Sequence, residues 1–435
     1  MLVRRGPYRG HGDPKLGSGR VTEAYAIVFG VSFLTTLCLT PLVRKVSIKR
    51  GILVPPSQRA VHKKPIPNIG GVAMLAGVLV GMGVASLLGA FDDVFASSSA
   101  AFGVVISAIV IFTTGLIDEL RKVRGAGVSA PAKLAGMVLA GSVLSLAGVS
   151  TIFFRVPFLG IFSLTPDLSA FVTVLWVVGM ANAINFIDGL DGLAAGITAI
   201  AAGSFFLYGA RLDHVGVLAP GNIGPLLAIV TAAVCLGFLP WNFHPAKIIM
   251  GDCGALLLGL LMAASTIAVG GSTDTAFSGQ SFFFFAPLFI PLVILGVPIV
   301  DTAFAIVRRA THRSGLATAD KEHLHHRLMR LGHGQRRSVL ILWTWTALLS
   351  GLVLYPTFTG RGDAVVPIGI ASLGLLLFTV FHPGLRQARA NGDESGETDG
   401  TDGTAGAAGD EAGSPNGTGA DAAAGDSLAA AEAHH

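Results

Sequence analysis

Apolar residues follow one another along most of this chain in runs about twenty residues long, parted by short polar stretches. A helix of that length reaches across the roughly 30 Å hydrocarbon core of a bilayer, so each run predicts a membrane-spanning helix. Eleven spans are expected, at 21–43, 70–90, 100–117, 130–148, 168–187, 191–210, 221–240, 252–270, 282–307, 337–356 and 364–382. The link between the fifth and sixth is so short that the two would merge if it were helical. From about residue 386 the pattern stops. The stretch "ANGDESGETDGTDGTAGAAGDEAG" holds no large apolar residue and cannot bury enough surface to fold. The expected architecture is an all-α polytopic integral membrane protein in three parts. A basic N-terminal extension covers 1–20, a transmembrane domain 21–384, and a disordered, acidic, Gly/Ala-rich tail 385–435.

Composition agrees with that pattern. Of the 435 residues 52% are hydrophobic and 13% charged, where a soluble domain carries about 25% charged residues. Cys38, Cys235 and Cys253 lie far apart, in or beside spans, and suggest neither a disulfide framework nor a metal site. The basic N-terminus lacks a short apolar stretch with a small-residue cleavage site, so the first span is expected to serve as the insertion signal. No repeat of fixed period occurs.

Charge sets the expected orientation. One alternating set of connections, 44–69, 118–133, 188–190, 241–251, 308–337 and the C-terminal tail, carries 22 of the 30 Lys and Arg residues. Positive charge marks the cytoplasmic side, which places the N-terminus outside and the C-terminus in the cytoplasm.

The polar motifs fall on that same set. In "NAINFIDGLDGLAAG" (181–195), Asn182, Asn185, Asp188 and Asp191 recur every three residues, which on a helix would sweep one side of about two turns. Amides and carboxylates at membrane depth cost free energy unless they face a polar cavity or one another. "QRAVHKKPIPNIGG" (58–71) offers Arg59, His62, Lys63 and Lys64, which suit phosphate or, more simply, anchor a span end. Asp118 and Glu119 close the third span in "GLIDELRKVR". Adjacent carboxylates there suit Mg²⁺ or a solvated helix end. Lys133 opens the fourth span, where snorkelling is the simpler role. "FLPWNFHPAKIIMGDCGALLLG" (238–259) brings Asn242, Lys247 and Asp252, the last also a candidate N-cap. "RRATHRSGLATADKEHLHHRLMR" sets His323, His325 and His326 among Arg308, Arg309 and further cations. Three histidines without a matching cysteine favour anion contact over a closed zinc site. Asp92–Asp93 sits on the opposite side in a loop without Lys or Arg, and reads as a solvated turn.

One site that joins a nucleotide to a membrane-confined acceptor would explain this segregation. From about residue 21 to 340 the chain resembles the polyprenyl-phosphate N-acetylhexosamine-1-phosphate transferases, the glycosyltransferase 4 family. The likeness rests on "R..H..P.P..GG" at 59–71, the acidic pair, "NAINFIDGLDGLAAG", "FHPAKIIMGDCGALLLG" and "HLHH" at 323–326, in the family's order. The resemblance implies transfer of a sugar 1-phosphate from a UDP-sugar to undecaprenyl or decaprenyl phosphate in a bacterial plasma membrane, with release of UMP. It implies Mg²⁺, with Mn²⁺ as a substitute, held by Asn185 and Asp252. Asp188 and Asp191 would shape the nucleotide and metal site. Asp118 and Glu119 would position the lipid phosphate, with Asp118 as a candidate base. Lys133, His323, His325 and His326 would contact phosphates and sugar, and Arg59, His62, Asn182, Asn242, Lys247, Arg308 and Arg309 complete the substrate-binding set. "HLHH" resembles the branch that uses UDP-GlcNAc; another UDP-N-acetylhexosamine and UDP-MurNAc-pentapeptide are the alternative donors.

The chain departs from the family pattern at Glu119, where Asp is frequent, at Val54 and at Met137. The expected partners are UDP-GlcNAc, a polyprenyl phosphate and the membrane, with no nucleic acid and room for a homodimer. Two readings from other classes compete. An ion-coupled transporter would need ionisable groups near mid-bilayer and inverted halves. An inactive scaffold would keep the fold without the chemistry.

Overall fold

A computed structural model describes residues 14–53, 65–96, 99–151, 153–156, 160–270, 334–359 and 365–381. Helix α1 (Pro14–Lys49) is followed by α2 (Gly71–Ala85), a 3₁₀ turn (Gly89–Phe91) and the short α3 (Asp92–Ala96). Then come α4 (Ala100–Val123), α5 (Ala130–Leu146), strands β1 (Phe153–Val156) and β2 (Gly160–Ser163), α6 (Pro166–Ile187) and α7 (Leu193–His214). Among the described residues the chain closes with α8 (Gly224–Asn242), α9 (Gly251–Gly270), α10 (Gln335–Thr359) and α11 (Val365–Phe381).

Seven of the described helices are long and apolar enough to cross a membrane, eight if α2 and the Gly89–Ala96 pair are one span broken by 91°. Each expected span except 282–307 falls on a helix, and 282–307 lies outside the described residues, as does the tail from 385. The second span is shorter than the apolar pattern suggested. Leu88 adopts an extended conformation (φ −97°, ψ 116°), which ends the helical path and turns the chain aside. Asp92 and Asp93 are exposed in the first turn of α3, where carboxylates face the positive end of the helix dipole.

The expectation of an all-α chain needs one correction. β1 and β2 form a small antiparallel hairpin, with Phe153 opposite Ser163 and Val156 opposite Gly160. The aromatic and β-branched residues of "FFRV" and "GIFS" favour an extended pleat, and eleven residues cannot make a span.

Helix α9 is the axis of the bundle. Beyond Asp252 in its first turn it is apolar around its whole circumference and buried, as such a helix must be. It packs against α4, α6, α8 and α2, while α8 in turn carries α1 and α7. Small residues permit this crowding, as they do in membrane bundles generally. A Cβ on Gly259 would strike the Ala181 backbone of α6. Trp176 Nε1 donates to Thr266 Oγ1 at 2.9 Å, a polar tie between α6 and α9. The N-terminus of the central helix is therefore ringed by the ends of its neighbours, and Asp252 lies in its first turn.

Candidate active site

Four segments meet around Asp252, which stands in the first turn of a fifth, α9. Helix α4 brings Asp118, Glu119 and Lys122, which its 3.6-residue turn sets on one face at i, i+1 and i+4. Lys133 comes from the first turn of α5 and Asn185 from the last turn of α6. Asn68 comes from the segment before α2, which lies alongside the entry to α9. There Ile249 N–H donates to Pro67 O, Gly70 N–H to Ile249 O and Gly71 N–H to Met250 O, each at 2.9 Å. Two glycines permit the approach. Gly251 holds φ +68° with the Asn68 carbonyl against its α-carbon. On Gly115 of α4, a Cβ would lie 2.5 Å from Cys253 Cα.

The result is a cluster of acids threaded by two ammonium groups. Carboxylate oxygens of Asp118, Glu119 and Asp252 lie within 4.8 Å of one another. At an effective dielectric near 20, each such pair repels by roughly 3 kcal/mol. Lys122 Nζ relieves this by meeting all three, Asp118 Oδ2 at 2.9 Å and Glu119 Oε1 and Asp252 Oδ2 at 3.1 Å. Lys133 Nζ meets Asp118 Oδ2 at 2.7 Å and also pairs with Asp252 Oδ2. Asn185 Nδ2 donates to Asp252 Oδ1 at 3.0 Å. Glu119 is held from two more sides, by Asn68 Nδ2 at 2.5 Å and by the Asp252 N–H at 3.0 Å. Asp118 Oδ1 accepts the Val128 N–H at 2.7 Å. Asp118 and Glu119 are 1% exposed, against 17% for the Asp252 side chain, so Asp252 is the acid that faces outward.

The link between α6 and α7 differs from the single helix face that the three-residue spacing suggested. Helix α6 stops at Ile187, Asp188 leaves the helical region (ψ 49°), and Gly192 sits at φ +75°. Only Asn182 and Asn185 share a helix. Asp188 lies beside the cluster; burial, then the negative charges of Asp252, Glu119 and Asp191, push its carboxyl up to about 8. Asp191 faces the 243–250 loop, where its Oδ2 meets His244 Nδ1 at 2.8 Å and accepts the Ala246 N–H at 3.0 Å. Asn242 ties the same two segments together. Its Oδ1 accepts the Gly192 N–H and its Nδ2 donates to Ile248 O, both at 3.1 Å.

Other expected residues take quieter positions. Asn182 Nδ2 donates to Val178 O at 2.8 Å and to Met137 Sδ at 3.4 Å. The Lys247 amine lies 5.3 Å from the centre of the Trp241 ring. Asp252 does not serve chiefly as an N-cap, because its side chain engages Lys122, Lys133 and Asn185. Arg59, His62, Arg308, Arg309, His323, His325 and His326 lie outside the described residues. The structure adds Lys122, Asn68 and His244, which the sequence reading did not single out. For Lys122 a signal existed, since it stands three and four residues after the two acids of "DELRK".

The donor set fits a hard divalent cation. Carboxylate oxygens dominate it, no thiol or imidazole joins the cluster among the described residues, and oxygen ligands of this kind suit Mg²⁺ or Mn²⁺. Lys122 and Lys133 supply positive charge at the same oxygens a cation would engage.

Fold and site together define a polytopic membrane protein with a buried acid–lysine centre where five helix-end segments converge. Comparison with known proteins gives the class a family. The model of glycosyl transferase family 4 matches residues 101–270, which holds every residue of the centre but Asn68. The decaprenyl-phosphate N-acetylglucosaminephosphotransferase of Mycolicibacterium smegmatis is 35% identical over 372 residues, covering 84% of this chain and 90% of that one. A probable undecaprenyl-phosphate N-acetylglucosaminyl 1-phosphate transferase of Bacillus subtilis is 36% identical over 319 residues, 73% and 80% of the two chains. The phospho-N-acetylmuramoyl-pentapeptide-transferase of Mycobacterium ulcerans is 32% identical over 367 residues, 77% and 95%. The chain belongs to glycosyl transferase family 4.

Proposed function

We propose that this protein transfers N-acetylglucosamine 1-phosphate from UDP-GlcNAc to a polyprenyl phosphate and releases UMP, the initiating step of a cell-envelope polysaccharide. The observation that carries the reading is the meeting of Lys122 and Lys133 with three carboxylates at the end of a membrane bundle. The relatives named for N-acetylglucosamine transfer are 35–36% identical, against 32% for the muramoyl-pentapeptide relative, which supports the choice of donor.

The chemistry follows from charge. A phosphate monoester has its second pKa near 6, so the acceptor is mostly a dianion at neutral pH and has no proton to lose. Its oxygen attacks the β-phosphorus of the donor. That forms one P–O bond and breaks the bond to the bridging oxygen, which leaves with UMP. The barrier lies in bringing two anions together, and preorganised positive charge is what lowers it. Lys122 and Lys133 supply such charge and are themselves held in place by Asp118 and Asp252. A Mg²⁺ ion held by Asp252 and Asn185 would add Lewis-acid stabilisation of the pyrophosphate oxygens. In this reading Asp188, beside the cluster, and Asp191, bonded to the 243–250 loop, would shape the nucleotide side of the site. The positive-charge bias of the loops supports an active face toward the cytoplasm of a bacterial plasma membrane.

Purified protein in detergent, given undecaprenyl phosphate, Mg²⁺ and UDP-GlcNAc, is expected to release UMP, and EDTA to abolish that release. Parallel reactions with UDP-GalNAc and UDP-MurNAc-pentapeptide test the donor. UMP from either at a higher rate would overturn the choice of GlcNAc; none from any donor, in folded protein, would overturn the reaction.

A further inference from the structure

The two acids of α4 differ in what holds them. Among the described residues, Asp118 Oδ2 and the outward Asp252 Oδ2 are met by lysine ammonium groups, which can swing aside on flexible stems, and Asp118 has one fixed donor, the Val128 N–H on Oδ1. Both oxygens of Glu119 are met by donors fixed to the fold. Its Oε1 accepts the backbone N–H of Asp252 at 3.0 Å as well as Lys122, and its Oε2 accepts Asn68 Nδ2 at 2.5 Å. Asn68 is itself fixed, because the segment on either side of it is bonded to residues 249 and 250. An acceptor on the first turn of a helix satisfies one of the N–H groups that the helix leaves unpaired. Here the acceptor comes from another helix, and the N–H it holds belongs to the residue with the outward-facing carboxylate.

We propose that Glu119 is a positioning residue, neither base nor metal ligand: with Asn68 it clamps the backbone of Asp252 and so fixes where that carboxylate stands. This rests on the transferase reading for its activity readout alone. The clamp would account for a Glu at 119 where the resemblance leads one to expect Asp. One further methylene lets a carboxylate on α4 reach both the α9 backbone and the amide of Asn68. The work of the clamp is hydrogen bonding, so an amide can do it. Asn68 Oδ1 is buried with no partner among the described residues. With a half-turn of the Asn68 amide, a Gln at 119 would accept from the Asp252 N–H with its oxygen and donate to Asn68 with its nitrogen.

The test measures Mn²⁺ binding by electron paramagnetic resonance and UMP release, on full-length protein in detergent. Glu119→Gln is expected to keep the Mn²⁺ dissociation constant within about threefold and turnover within about tenfold. Glu119→Ala should weaken Mn²⁺ at least tenfold and turnover at least a hundredfold, a 1 Å misplacement being enough for such a loss. Asn68→Asp sets two carboxylates face to face and should be as damaging. Combining it with Glu119→Gln restores one acid and one amide, and should recover at least tenfold. If Glu119→Gln falls as far as Glu119→Ala in both readouts, the negative charge is what matters and the clamp is refuted. Failure of the double variant to recover refutes it as well, and so does wild-type protein that binds no Mn²⁺. The expected Mn²⁺ pattern without UMP from any variant would leave the clamp standing and refute the transferase reading instead.

Discussion

Gly115→Ala tests whether the contact between α4 and α9 sets the rate. The new Cβ would stand 2.5 Å from Cys253 Cα, 2.6 Å from Cys253 N and 2.7 Å from Asp252 C. Contacts under 3.0 Å are essentially never seen, and ordinary contact begins at 3.4 Å. All three atoms are backbone, so no side chain can swing away. The helices must part by 3.4 − 2.5 = 0.9 Å, and α9 carries Asp252 with it. Two effects oppose each other in stability. Ala is a better helix former than Gly by about 1 kcal/mol, whereas overpacking costs about 1–3 kcal/mol. The balance is a small net loss, and the folded protein should survive it. Catalysis is less forgiving, because a shift of about 1 Å costs on the order of a hundredfold. The assay is initial-rate UMP release in detergent, with size exclusion and thermal melting to verify folding. Gly203→Ala is the control; nothing lies within 4 Å of its Cβ position, and its rate should match wild type. Gly115→Ala with a rate within twofold of wild type would refute the claim that this contact places Asp252.

Three further outcomes follow from the same geometry. Lys133→Met removes one of two ammonium groups from the acids, so Mn²⁺ should bind severalfold more tightly while UMP release falls at least tenfold; weaker Mn²⁺ binding would show that the lysine does not compete with the cation. Asp252→Asn should abolish measurable Mn²⁺ binding and lower the rate more than a hundredfold without loss of monodisperse protein, and retained binding would move the metal elsewhere. Asn242→Ala leaves the Gly192 N–H and the Ile248 carbonyl without their partner, at a cost of about 1–3 kcal/mol for each buried group. Its melting temperature in detergent should drop by several degrees, and an unchanged melt would show that water replaces the amide.

The sequence by itself determined the membrane class, the places of the described helices and several of the residues that the structure gathers into one cluster. Apolar runs long enough to cross a bilayer, and charged or amide groups that such runs do not tolerate idly, are visible one position at a time. Asp118, Glu119, Lys133, Asn185 and Asp252 could be named for that reason. Where each group stands and what it touches are long-range facts. A three-residue spacing could not show that α6 ends at Ile187 and leaves Asp188 and Asp191 in a turn. Nor could it show that Asn242 faces the backbone or that Asp191 pairs with His244. Lys122 meets Asp252 across 130 positions, and Asn68 meets Glu119 across 51. Only the tertiary structure decided those pairings, because they depend on how closely α4 and the 65–71 segment approach α9, which Gly115, Gly251 and their neighbours permit through what they lack.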